Sequence, residues 1–322
     1  MIALADLSSG PWIIFVAAVL FFLALDLGVF HRKAHVVSFR EALTWTAVWF
    51  CTAMVFAFFL APWMVGSWDR QDTDEFLTGY ITELALSMDN VFVIALIFTW
   101  FRVPEKYQHR VLFWGILGAL VMRGLMIWLG VALVKRFDWM LVVLGVFLIL
   151  TGIKMIFAGD DEVHPEKNIA IRIARRFFPI SGEFDGSRFT TRVGGRFALT
   201  PLALVLLMVE TTDLIFAVDS IPAIFGVTQD PFIIFTSNVF AILGLRSLYF
   251  VLAGAIGYFR YLKIGLSLVL VFIGVKMLLG KTSFHVPTKL SLFIVAGIIL
   301  LSVAASLIAA RREGKPKIPP NE

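Results

Sequence analysis

Long apolar blocks fill this chain at about 11–30, 43–65, 76–100, 111–134, 138–158, 199–227, 232–257, 262–280 and 288–310. Each is near the roughly 20 residues that a bilayer-crossing helix requires. In hydrocarbon such segments satisfy their backbone only as helices, and the alternating pattern of a membrane barrel is absent. The chain is therefore predicted to be an all-α polytopic membrane protein of about nine transmembrane helices. Composition agrees: 59% of residues are apolar and only 16% charged, against roughly 25% charged in soluble domains. The first block has no basic n-region and carries Asp26 where a cleavage site would be sought, so it reads as a span rather than a signal peptide. Cys51 is the single cysteine and is expected to be a buried packing residue.

With nine spans, alternate loops fall on one side together with the C-terminus. Most loop basic residues lie there, including Arg32, Lys33, Arg102, Lys106, the 159–198 loop, Arg260 and Arg311. Basic residues gather on the cytoplasmic side, so the C-terminus is expected inside and the N-terminus outside, in a bacterial inner membrane. The net charge of +5 thus reports topology and the lipid partner. No nucleic-acid partner is expected, because the basic residues are spread among loops that border lipid. In the 159–198 loop, Arg172, Arg175 and Arg176 suggest a short amphipathic helix, and GEFDGSRF a turn between short extended pieces. Its basic face suits anionic headgroups. His164 and its acidic neighbours match no metal-site spacing.

The chain also repeats itself. TELALSMDNVFVI at 82–94 aligns with TDLIFAVDSIPAI at 212–224, Arg123-Gly124-Leu125 with Arg246-Ser247-Leu248, and TGIKMIF at 151–157 with IGVKMLL at 273–279. Two three-helix units follow, 76–158 and 199–280, between an N-terminal two-helix segment at 1–75, the cytoplasmic loop at 159–198, and a last helix with its tail at 281–322. Three spans is an odd number, so the second unit is inverted. Inverted repeats are common in secondary transporters, whose sites lie near the midplane between them.

Each unit carries acids at membrane depth, where a carboxylate is costly and marks function by default. They are Glu83 and Asp89 in the first, and Glu210, Asp213 and Asp219 in the second. Glu83 and Asp89 lie about 120° apart around an ideal helix axis, whereas Glu83 and Asn90 share a face. Pro222 cannot donate to the Val218 carbonyl, and a helix break there would turn Asp219 inward. Arg123 and Arg246 lie mid-span and are expected to fix the acids of the facing repeat. Lys154 and Lys276 sit near span ends and can snorkel. Five acids against two arginines leave a negative surplus. Asn238 is either an interhelical hydrogen bond or a site ligand. Asp26 is expected to be paired or interfacial.

Carboxylates, an amide, hydroxyls and carbonyls, with no cysteine or histidine at depth, favour hard divalent ions: Mg²⁺, Ca²⁺ or Mn²⁺. Met88 and Met208 adjoin the acids; core packing is their ordinary role, and a soft ligand favouring Mn²⁺ the alternative.

The stretches FLTGYITELALSMDNVFV, LVETTDLIFAVDSIPAIF and TSNVFAILGLRSLYF resemble the TerC family of integral membrane proteins, in particular its nine-span Alx-like branch. The resemblance covers nearly the whole chain, including HRKAHVVSF after the first span. It implies divalent metal efflux, with manganese as the cargo. By motif the metal ligands fall on Glu83, Asp89 and Asn90 in the first repeat and Glu210, Asp213 and Asp219 in the second. Arg123, Arg246, Asn238 and Asp26 are supporting residues. Mn²⁺ enters as substrate, with no prosthetic group expected.

Two other readings stand beside export of a metal by proton antiport. One is an exporter or channel for an amino acid or oxyanion, with Arg123 and Arg246 as the anion-binding groups. The other is a non-transporting scaffold whose basic loop recruits a stress or secretion factor. An enzyme is not expected, since no nucleophile–base pair or phosphate loop is evident.

Overall fold

The computed structural model describes residues 9–25, 38–137, 139–157, 168–253, 261–280 and 286–312. The protein is an all-α membrane protein, with eight helices among these residues long and apolar enough to cross a bilayer. The first apolar block is represented by a shorter helix, α1 (Ser9–Leu25).

Helix α2 (Phe39–Val55) runs through a widened turn, Phe56–Leu60, into α3 (Ala61–Met64), forming one span. Pro62 lacks the N–H that would pair with the Phe58 carbonyl, and the widened turn absorbs that missing bond. Cys51 on α2 is exposed, contrary to the buried position expected. It lies on the outer side of a helix that uses other residues, such as Ala42 and Ala53, for packing.

The first three-helix unit comprises α4 (Arg70–Trp100), α5 (Glu105–Arg136) and α6 (Met140–Phe157). Asp69 caps α4, accepting from the Asp72 N–H while the Asp72 side chain accepts from its own, a capping box that fixes where the helix begins. The second unit comprises α8 (Pro201–Phe225), α9 (Pro231–Ala253) and α10 (Leu262–Leu279). Between them lie α7 (Ile169–Phe177) and a hairpin of β1 (Thr190–Val193) and β2 (Arg196–Leu199). The amphipathic helix is where its arginines placed it. The sequence reading missed the hairpin turn, which falls at Gly194 and Gly195 with φ of 57° and 78°. Two consecutive positive φ values make the tight turn that suits strand twist, and glycine adopts them freely. Helix α11 (Thr288–Arg312) closes the described chain.

Helix α9 is the innermost, with 89% of its apolar stretch buried. Its Phe232 and Phe240 form an aromatic core with Phe56 and Phe76, joined by Trp12 and Phe15 of α1, with Phe56 and Phe240 ring centres 5.0 Å apart. By contrast, large apolar side chains such as Phe59, Trp63, Phe293 and Leu301 are exposed. An apolar exterior of this kind suits lipid rather than water.

The two units meet through antiparallel helices. Gly79 of α4 lies against Ile224 of α8, and Asn90 bonds Asp213; equal steps run in opposite directions, 79 to 90 and 224 to 213. On α6 and α10, Gly152 abuts the Ser267 backbone while Gly145 abuts Gly274. In the repeat alignment Gly152 corresponds to Gly274, and Gly145 to Ser267. Each contact is therefore the other with the units exchanged. Both pairings run antiparallel.

Candidate functional site

The 120° splay expected within each acidic run decides which residues reach the centre. Glu83, Ser87 and Asn90 share one face of α4 and are buried, whereas Asp89 is only half-buried. On α8 Asp213 is buried, whereas Asp219 is half-buried.

Arg123 of α5 stands at the centre and is only 2% exposed. Its Nη1 ion-pairs with Glu83 of α4 and lies 3.4 Å from Asn238 Oδ1 of α9. Its Nη2 donates to Asp213 Oδ1 of α8 at 3.1 Å, and its Nε to Asp213 Oδ2 at 3.4 Å. This two-pronged grip suits the planar guanidinium to one carboxylate. Asn90 Nδ2 donates to Asp213 Oδ1 at 3.1 Å, and Ser87 Oγ donates to Glu83 Oε1 at 3.3 Å. Asn238 Nδ2 donates to the Ile234 carbonyl, so this residue bridges its own helix to Arg123. Four helices from both units are thus tied at one buried point.

The other acids lie around this centre. Glu210, one turn before Asp213, packs directly against Gly118 of α5 and lies within electrostatic reach of Asp213. Any side chain at 118 would occupy the carboxylate's place. Asp219 faces Thr151 and Lys154 of α6 rather than the central cluster. Pro222 does not break the helix as expected. It lies in the last turn of α8, which remains helical to Phe225, and a lost bond so near the end leaves the axis intact. Lys154, set aside as a snorkelling residue, serves as a counter-charge to Asp219. Arg246 Nη1 lies 3.2 Å from His109 Nε2 of α5, and beside a small cavity lined by Phe22, Trp49, Phe113 and Leu243. Met88 and Met208 pack into apolar clusters. Asp26 and His164 fall outside the described residues.

Among the described residues no three His, Cys, Asp or Glu side chains converge as a metal cluster. Glu83 and Asp213 converge on the guanidinium instead. Three buried hydroxyls, Thr82 Oγ1, Ser220 Oγ and Ser291 Oγ of α11, have no hydrogen-bond partner among the described residues. The antiparallel register of α4 and α8 sets Ser220 level with Glu83. Buried polar atoms are almost always bonded, so orphans beside a charge cluster call for an explanation.

Residues 68–314 match the Integral membrane protein TerC family. The chain belongs to the TerC family. The TerC match begins just before α4 and takes in both three-helix units and α11. Similar chains include the "Uncharacterized membrane protein STKORF319" of Myxococcus xanthus, 52% identical over 307 residues, which are 94% of this chain and 94% of that one. Another is the "Putative membrane-bound redox modulator Alx" of Escherichia coli (strain K12), 44% identical over 296 residues, 90% of this chain and 92% of that one. A Rickettsia bellii membrane protein is 38% identical over 297 residues, 92% of this chain and 97% of that one. No solved structure matches this TerC chain.

Ser87, Gly118, His109 and Thr151 escaped the sequence reading. Ser87 had a signal, because it lies four residues after Glu83 on the same helical face. The other three approach their partners from different helices, which periodicity within one helix cannot reveal.

Proposed function

We propose that this TerC-family protein is a transporter that exports a divalent metal cation, Mn²⁺, from the cytoplasm. It would lie in a bacterial inner membrane with its C-terminus inside, as the loop charges require. The observation that carries the reading is the charge of the buried centre: Glu83 and Asp213 share the guanidinium of Arg123, and Glu210 lies within electrostatic reach of Asp213. Carboxylate, amide and hydroxyl oxygens from Glu83, Asp213, Asn90, Ser87 and Ser220 form a hard donor set suited to Mn²⁺, Mg²⁺ or Ca²⁺. The donors come from α4 and α8, one in each unit, so motion of the units against one another would open the site to alternate sides.

The site argues against an anionic substrate, because the Arg123 donors are already taken by carboxylates. The redox role in the Alx name, carried to this chain, would not use an internal disulfide, since Cys51 is the single cysteine.

Mn²⁺ flux from proteoliposomes tests the reading. Glu83→Gln and Asp213→Asn should each reduce the flux at least about ten-fold, while Arg172→Ala in α7 leaves it unchanged. Normal flux in both acid variants would place the site elsewhere. The coupling has its own measurement. Carboxylates must be deprotonated to bind metal, so Mn²⁺ affinity should fall as pH falls, with protons released on binding in weak buffer. Flat affinity between about pH 5.5 and 8.5, with no released protons, would exclude proton antiport.

A further inference from the structure

We infer that Arg123 is a tethered counter-cation that occupies the substrate's place when the carrier is empty and is displaced when the metal binds. This rests on the cation-transport reading and adds to it how the empty carrier is neutralised.

The geometry is specific. Arg123 engages Oε1 of Glu83 and both carboxylate oxygens of Asp213, so three of four carboxylate oxygens already face a cation. Its remaining contact is the oxygen of Asn238. These are the oxygens a metal would take, and a guanidinium and a divalent ion cannot share them, because like charges at contact distance repel strongly in a low-dielectric interior. Arg123 is 2% exposed and reaches acids from both units, α4 and α8. It therefore closes the site with the protein's own charge. Without it an empty carrier would have to protonate both carboxylates or move them bare through its transition, at the cost of burying uncompensated charge. One orphan hydroxyl fits the same picture. Ser220, level with Glu83 in the register of α4 and α8, has no donor or acceptor among the described residues while the guanidinium holds the centre.

Two consequences separate this role from simple support of the fold. Removing the guanidinium should tighten equilibrium metal binding, and it should hinder the return of the empty carrier more than the movement of the loaded one. The first test is Mn²⁺ titration of full-length, detergent-solubilised protein by calorimetry. Arg123→Gln should bind at least about ten-fold more tightly than wild type, and Arg123→Lys by a smaller factor, because a point charge cannot grip both acids. Glu83→Gln should bind more weakly. The second test compares two fluxes in proteoliposomes. Arg123→Gln should keep Mn²⁺/Mn²⁺ exchange within about two-fold of wild type, yet lose at least about ten-fold in net efflux into metal-free buffer.

If Arg123→Gln folds and binds with unchanged or weaker affinity, the counter-cation role is overturned while the cation site stands. Equal losses of exchange and net efflux would likewise overturn it in favour of a positioning role. If Arg123→Gln does not fold, Arg123→Lys decides, and affinity at or below wild type rejects the inference. Failure of wild type and every variant to bind a divalent ion would remove both this inference and the reading beneath it.

Discussion

Arg123→Gln is expected to destabilise the metal-free protein by about 3–5 kcal/mol, and Mn²⁺ is expected to restore most of that loss. The substitution removes the charge to which Glu83 and Asp213 are both bound, leaving two carboxylates in a nearly dry crossing of four helices. Losing one partner of a buried pair costs far more than the pair contributes, because the remaining charge keeps its desolvation penalty. The companion variant Arg123→Met/Glu83→Gln/Asp213→Asn removes all three charges together and should recover much of the loss. Thermal or denaturant unfolding in detergent, with and without Mn²⁺, supplies the measurement. A single variant as stable as wild type would show that the acids do not depend on Arg123.

The second large effect belongs to the seam between α6 and α10. A Cβ on Gly274 would lie 2.6 Å from the Gly145 carbonyl oxygen and 2.8 Å from Ile149 Cγ1. Backbone cannot swing aside as a side chain can, so the helices must separate. Gly274→Ala is expected to cost about 1–3 kcal/mol, and Gly274→Val more. Gly297 on α11 provides the control, since nothing lies within 4 Å of a Cβ placed there. Gly297→Ala should leave stability unchanged or raise it by up to about 1 kcal/mol, because alanine loses less backbone freedom on forming a helix. Equal destabilisation at the two positions would refute close packing at the seam.

The helices were legible because bilayer length and apolar composition allow few alternatives. Helical angle alone separated the buried Glu83 and Asn90 from the half-buried Asp89. The repeat alignment matched Gly152 with Gly274, and those glycines now abut their partners' backbones. Other features depended on distances between helices. Nothing in the local sequence says that Arg123 reaches both Glu83 and Asp213, or that Asp219 faces Lys154. Pro222 misled for a different reason. Its penalty depends on how many helical bonds follow it, and α8 ends three residues later. Cys51 misled because burial tendency describes soluble interiors, whereas a helix bordered by lipid can carry a small apolar residue on its outside.

The two arginines occupy matching places in the repeat. Arg123 holds acids from both units, whereas Arg246 stands beside His109 at the edge of a cavity. Two equal halves would leave such a molecule without a front or a back. A guanidinium set where acids of both units meet joins the halves at one point. The duplication supplies the framework, and within it the Arg123 guanidinium is what ties the first unit's Glu83 to the second unit's Asp213.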